Sequence, residues 1–391
     1  MGVVVTGVGL VSALGAGVED NLSAIRKGKS GISSSPQILR TRHSLPVGEL
    51  RMTNLQLHDM LGISNEEHLS RTALLGISAA REAIADAETD FTKRVGLVSA
   101  TSVGGMDLTE GFFRKFIEDD RSGRLRDVRM HDCAASTLAI KKHCGINGYT
   151  TTISTACSSG ANAIIFGARL LAHNIVDYAV VGGSDSLSAF TINGFKSLMI
   201  LDDKPCRPFD KNRAGLNLGE GAGYLVLRRE EEADSFYCRL AGSANRNDAN
   251  HQTASSPTGD GAYLAMLESL EIAGIAPSEI DYINAHGTGT ANNDASESAA
   301  FIRLFGNDIP PFSSTKSITG HTLAAAGGIE AVLSVLAIKY GILYKNLNFN
   351  TPIEEFGLTP ICEYRENRNI NCVLTNSFGF GGNCSSLLFV R

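Results

Sequence analysis

Short apolar runs alternate with longer helix-like segments from one end of the chain to the other, and this alternation restricts the fold to α/β layers. Runs of strand length fall at residues 3–5, 95–98, 150–154, 179–181, 224–227, 311–314 and 372–375. They are nearly continuous in apolar character, as strands covered on both faces require. Helical patterns fall at 19–26, 70–87, 158–173, 261–273, 295–305 and 321–340, the last closed by Gly341 as a C-cap. A faint internal repeat accompanies the alternation. Residues 149–155, followed by Cys157 and an alanine-rich helix, resemble residues 311–315, followed by His321 and a second alanine-rich helix. Each half thereby delivers a reactive residue at a strand-to-helix junction. The expected division is residues 1–235 with the cysteine and residues 236–391 with two histidines, sharing one core and joined near the solvated turn Arg228-Arg229-Glu230-Glu231-Glu232.

Composition narrows the class of function. A chain of 391 residues with 43% apolar and 19% charged residues supports a large core. The net charge is −6 and no Lys/Arg block exceeds a dipeptide, which argues against nucleic acid as a partner. An acidic partner would need a basic patch assembled by the fold. Eight cysteines include no C-x-x-C pair, so they read as reduced thiols of a cytoplasmic protein. The start Met1-Gly2-Val3-Val4-Val5-Thr6-Gly7 lacks the basic region of a signal peptide and fits a lipidation pattern only at Gly2 and Thr6; it reads as a first buried strand. The longest apolar stretch, residues 322–338, contains Glu330 and two glycines and falls short of the ~20 apolar residues of a membrane span. A buried core helix is expected there, with no membrane insertion.

The chemistry concentrates in three small-residue segments. In Ser154-Thr155-Ala156-Cys157-Ser158-Ser159-Gly160 the cysteine precedes a helix, where unpaired N–H groups and the helix dipole favour a thiolate nucleophile. Most lone cysteines are small hydrophobes, and the other seven are read that way. In Asn284-Ala285-His286-Gly287-Thr288-Gly289-Thr290 the glycines allow close approach of a ligand and the threonines offer hydroxyls. Lys316-Ser317-Ile318-Thr319-Gly320-His321 supplies a second imidazole. A thiol with two imidazoles suits carbon-chain chemistry on acyl thioesters. Asp294 and Glu297 could reach back toward Lys316 or the histidines, and the glycines of Asn376-Ser377-Phe378-Gly379-Phe380-Gly381-Gly382-Asn383 could present N–H donors as half of an oxyanion hole. Gly7-Val8-Gly9 lacks the third glycine and the acidic residue of a dinucleotide fingerprint, so a nicotinamide site is rejected.

With these residues in place the chain resembles the β-ketoacyl-acyl-carrier-protein synthases of the elongating type. The resemblance extends through Arg207-Pro208-Phe209-Asp210, Leu218-Gly219-Glu220-Gly221-Ala222-Gly223 and Ser313-Ser314-Thr315-Lys316-Ser317 to Gly379-Phe380-Gly381-Gly382, nearly the whole chain. It implies a thiolase fold, two similar βαβ-type halves in a five-layered α-β-α-β-α arrangement, and a homodimer or a heterodimer with a related subunit. It also implies a ping-pong condensation in which Cys157 takes an acyl group and malonyl-acyl-carrier protein loses carbon dioxide and extends that group by two carbons. His286 and His321 would hold the thioester oxygen, Lys316 would order them, and Glu297 would support Lys316. Phe380 would share the oxyanion hole with Cys157 and gate the acyl tunnel between Gly379 and Gly381, with Val103 and Phe195 lining that tunnel. Thr288 and Thr290 would bind the phosphopantetheine arm of the acyl carrier protein. No cofactor and no metal is implied.

Departures from the family pattern are local. Gly381-Gly382-Asn383-Cys384 stands where Gly-Gly-Thr-Asn is usual, and Ser158-Ser159 after the nucleophile is the pairing of many polyketide-type synthases. Positions matching the family's basic carrier-protein contacts fall at Glu67, His68 and Met199, with Lys196 and Arg71 nearby. Three other readings stay open: a dedicated polyene synthase, a chain-length-factor-like partner that shapes a tunnel without catalysis, and a thiolase. Such partners typically lack the cysteine, and the two histidines with Lys316 favour the decarboxylating family over thiolases.

Overall fold

A computed structural model describes residues 2–391. Ten principal strands form one sheet: β1 (Val3–Ser12), β2 (Val95–Ala100), β3 (Thr150–Ile153), β4 (Tyr178–Asp185), β5 (Gly221–Arg229), β6 (Cys238–Asn247), β7 (Tyr282–Asn284), β8 (Phe312–Ser313), β9 (Cys372–Gly379) and β10 (Asn383–Val390), with the short strand Gly15–Ala16 alongside β1. The order across the sheet is β8-β7-β9-β10-β6-β1-β5-β4-β2-β3. Numbered within each half, both halves follow the order 3-2-4-5-1. In each, strands 3-2-4 are parallel neighbours and strand 5 runs antiparallel to both its neighbours. The faint sequence repeat is thus a repeat of topology. Within the sheet the halves join where β1 meets β6, through Val4↔Arg239 and Val5↔Cys238.

Helices α1 (Arg71–Asp86), α2 (Ser159–Ala172), α3 (Asp260–Ala273), α4 (Ala291–Phe305) and α5 (Ala326–Tyr340) supply the layers. The first packs on β1, β5 and β4, and α3 packs on β6 and β10. Between the two half-sheets lie α2 and α5, touching each other and strands of both halves. A helix apolar all round belongs in such a layer. Residues 326–338 of α5 are buried without exception, so Leu323–Tyr340, the one helical segment among the described residues long and apolar enough for a bilayer, belongs to the core, with 89% of its apolar window covered by protein. The glycines of β1 serve this packing: a Cβ on Gly9 would lie 1.9 Å from the Ala79 carbonyl oxygen of α1. They belong to a strand, in keeping with the rejected nucleotide loop.

One expected helix is shorter than the pattern indicated. The 321–340 segment is a loop at His321, a single 3-10 turn at Leu323–Ala325 and then α5 from Ala326, because Gly320 (φ 78°) and Leu323 (φ 53°) sit in the left-handed region that breaks a helix. Gly341 caps its end at φ 64°, as expected.

Candidate active site

The nucleophile lies on a sharp turn between β3 and α2. Ala156 adopts φ 53°, unusual for a residue with a Cβ, and two serines hold the turn. Ser159 Oγ accepts from the Thr155 N–H at 2.8 Å and donates to the Ala156 carbonyl at 2.5 Å, while Ser158 Oγ lies 2.7 Å from the Thr155 carbonyl oxygen. Close contact between helix starts places this turn against the other half. A Cβ on Gly160 of α2 would lie 2.6 Å from the Gly328 nitrogen of α5. Only glycine permits that approach.

On the C-terminal side, His286 follows β7 and Lys316 opens a short helix, Lys316–Thr319, after β8. His286, Lys316 and the following His321 are all buried. Lys316 Nζ donates to the His286 carbonyl at 2.8 Å and stands 3.2 Å from His286 Nδ1. An ammonium only donates, so this Nδ1 accepts and the imidazole proton sits on Nε2. His321 Nδ1 accepts from the Leu323 N–H at 3.1 Å, which assigns it the same tautomer. The rings meet edge to face with centroids 5.6 Å apart. Burial, reinforced by the Lys316 charge, holds both imidazoles well below their usual pKa and hence neutral.

Glu297 does not support Lys316. Its carboxylate accepts from the backbone N–H groups of His286 (2.9 Å) and Gly287 (2.8 Å) and from Asn376, fixing the histidine loop. Asp294 acts similarly, accepting from Phe209 N–H at 2.8 Å and Gly289 N–H at 3.2 Å. The partner of Lys316 is Glu330 on α5, bonded to Nζ and equally buried. Burial pushes both glutamates up, each to about 7. The signal missed in the sequence was a lone carboxylate inside an otherwise apolar core helix, since such a group requires a buried cationic partner.

Cys157, His286, His321, Thr288, Thr290, Phe195, Gly379, Phe380 and Gly381 line one cavity of about 320 Å³. Thr288 Oγ1 and Thr290 Oγ1 lie 2.9 Å apart, and Thr290 also caps α4. The Phe380 N–H lies near the Cys157 thiol and favours its thiolate, Gly379 packs against the Cys157 backbone, and the Phe380 ring stacks on Phe195 with centroids 5.9 Å apart. Val103 lies off the cavity, packed with Phe195 against the cluster of Leu187, Ile192, Leu216 and Leu323. Contrary to the expectation of a low-pKa cysteine, burial pushes the Cys157 thiol up to about 11; Lys316 and the Phe380 N–H offset only part of it. The cavity rim adds His251, which sequence reasoning passed over, and Met199, which is 88% exposed.

Of the positions matching carrier-protein contacts, Arg71 is buried and doubly bonded to Glu220, at 2.8 and 2.6 Å, so it offers no surface contact. Glu67 instead binds Lys142 at 2.6 Å and His143 at 3.1 Å, and His68 binds Asp127. Lys196 remains exposed beside His43.

Residues 1–233 match the beta-ketoacyl synthase N-terminal domain and residues 237–350 the beta-ketoacyl synthase C-terminal domain. The chain is 33% identical to a 3-oxoacyl-[acyl-carrier-protein] synthase 2 of Staphylococcus aureus, over all of this chain and 98% of that protein. Among solved structures it superposes on the ishigamide ketosynthase/chain length factor with a TM-score of 0.93, at 28% identity over all of this chain and 99% of the other. A type II polyketide acyl-carrier protein in complex with its ketosynthase gives a TM-score of 0.88, at 28% identity and the same coverage.

Proposed function

The chain belongs to the beta-ketoacyl synthase family of condensing acyltransferases, and from that premise we propose that Cys157 carries the growing acyl chain while His286 and His321 hold malonyl-carrier protein for decarboxylation. The observation that carries this reading is the convergence of a thiol, two neutral imidazoles and the Phe380 N–H on one cavity. In the first half-reaction the Cys157 sulfur attacks the acyl thioester, and the N–H groups of Cys157 and Phe380 receive the oxyanion. The carbon–sulfur bond to the phosphopantetheine arm breaks, and the proton lost by Cys157 ends on the departing thiol.

In the second, the bond to the malonyl carboxylate breaks and its electron pair forms an enolate whose oxygen accepts from both Nε2–H groups. Neutral imidazoles suit this role because they donate without becoming acids strong enough to quench the carbanion. The carbanion attacks the acyl-cysteine, and collapse of the tetrahedral intermediate releases the β-ketoacyl product and the cysteine. Lys316, neutralised by Glu330, locks the His286 tautomer. Thr288 and Thr290 hold the arm at the mouth, where Met199 and Lys196 meet the carrier protein. The chemistry needs no metal or cofactor, and reduced thiols suit the cytoplasmic location that goes with this reading. Residues 1–235 and 236–391 act as two domains that contribute the nucleophile and the histidines.

The assembly in this reading is a dimer. Strand β3 ends the sheet with one edge unpaired among the described residues, the helix Cys133–His143 packed on it exposes Leu138, and the helix Met106–Glu118 exposes Phe113, Phe116 and Ile117. A second copy or a related chain-length-factor-like subunit covers this face. Carbon dioxide release from malonyl-carrier protein, with and without an acyl donor, tests the function. Acyl-dependent condensation should be abolished in Cys157→Ala while malonyl decarboxylation persists. A protein whose cysteine is labelled but which turns over with no standard donor would overturn a self-sufficient synthase and favour an obligate partner.

A further inference from the structure

We propose that Asn383 is a positioning residue that bolts the glycine turn to the nucleophile helix and so sets the Phe380 N–H against Cys157, an inference that rests on the ketosynthase reading. The turn Phe380-Gly381-Gly382 joins β9 to β10 with Gly379 paired to Asn383, and both central glycines are left-handed at φ 84° and 78°. Such a turn has no stiffness of its own. It is held at two points. Its tip is tied to residues 247–252, where Gly381 N–H donates to the Gln252 carbonyl at 2.7 Å and Asp248 N–H donates to the Gly382 carbonyl at 2.7 Å.

Its base is paired in the sheet, with Asn383 opposite Gly379 and Asn247, and is tied to α2 through one side-chain oxygen. Asn383 Oδ1 accepts from Asn162 Nδ2 at 2.8 Å and Asn245 Nδ2 at 2.7 Å, and lies 2.6 Å from Ser158 Oγ. Ser158 is the residue after the nucleophile and Asn162 is in the first turn of α2, so this oxygen links the base of the Phe380 turn to the helix that starts just beyond Cys157. The neighbouring Cys384 plays no part; it is buried in the C-terminal apolar cluster. At the position where Gly-Gly-Thr-Asn would carry threonine, this chain therefore has Asn383 as the anchor.

The donors would survive loss of this oxygen. Asn162 Nδ2 also reaches Thr155 Oγ1 at 2.8 Å, and Asn245 Nδ2 reaches Asn162 Oδ1 and Ser385 Oγ, both at 2.8 Å. Asn383→Ala should consequently fold while releasing the turn. Only the steps that use the Phe380 N–H should suffer. Acyl transfer onto Cys157 should fall roughly tenfold to a hundredfold, the scale on which misplaced oxyanion donors act, whereas malonyl decarboxylation, held by the histidines, should stay within about twofold. Asn383→Asp, which keeps an acceptor for the same donors, should recover most of the transfer rate.

The two half-reactions are measured separately, as acyl-enzyme formation by mass spectrometry and carbon dioxide release, on wild type, Asn383→Ala and Asn383→Asp. An equal fall in both rates for Asn383→Ala, or no fall in either, overturns the positioning role. A wild-type protein that performs neither half-reaction overturns the ketosynthase reading instead.

Discussion

At Cys157 the structure sets chemistry against chain position. A helix start would favour the thiolate, yet burial dominates and pushes the thiol up to about 11. Because the folded-state pKa lies above the ordinary cysteine range, the thiolate fraction grows about tenfold per pH unit below that value. Iodoacetamide labelling of Cys157 should accordingly climb without a plateau from pH 7 to about 10; a plateau near pH 7 would restore the low-pKa nucleophile. Cys157, His286 and His321 were legible in the sequence because each is a reactive side chain among small residues, where packing gives it no reason to be. The carboxylate beside Lys316 was not. Glu297 and Glu330 lie on different helices, and only the three-dimensional packing of α5 decides that Glu330 meets the ammonium while Glu297 takes two backbone N–H groups.

Among the elements, the contact between α2 and α5 sets how the site is assembled, and no periodicity revealed it. Both helices read correctly as apolar and alanine-rich, but the close approach depends on Gly160, Gly327 and Gly328 facing one another across the two halves. Gly160→Val should cost at least about 2 kcal/mol, the scale of overpacking in a tight core, and displace Cys157 from the histidines. Chemical denaturation together with Cys157 labelling checks both effects; a stable variant with normal labelling would show that the helix starts can separate harmlessly. Strands β6, β7 and β10 escaped the sequence reading, β7 because Tyr282–Asn284 is only three residues long and the other two for a reason related to polarity. Cys238–Asn247 alternates buried and half-buried positions with polar residues, and Asn383–Val390 opens with Asn383-Cys384-Ser385-Ser386, so neither presents a continuous apolar run.

For the molecule as a whole, the layers and the doubled architecture were readable, because strands covered on both faces and core helices without a polar side leave a plain composition pattern. The single sheet shared by both halves was not readable, since the pairing of β1 with β6 rests on two residue pairs. Unpaired β3 and the exposed face beside it lead to a prediction about assembly. Native mass spectrometry should find a dimer, and paired Phe113→Lys and Ile117→Lys substitutions should shift it toward monomer; a monodisperse wild-type monomer would mean that the face belongs to a different subunit. The placement of β1 also has a bearing on synthesis. Its neighbour β5 lies about 220 residues further along the chain, with Val3 opposite Arg229 and Val11 opposite Ala222. At ordinary translation rates β1 waits on the order of 10–40 s for this partner, so synthesis leaves an apolar strand unpaired and production in the cell leans on chaperone capacity as well as on the stability of the finished fold.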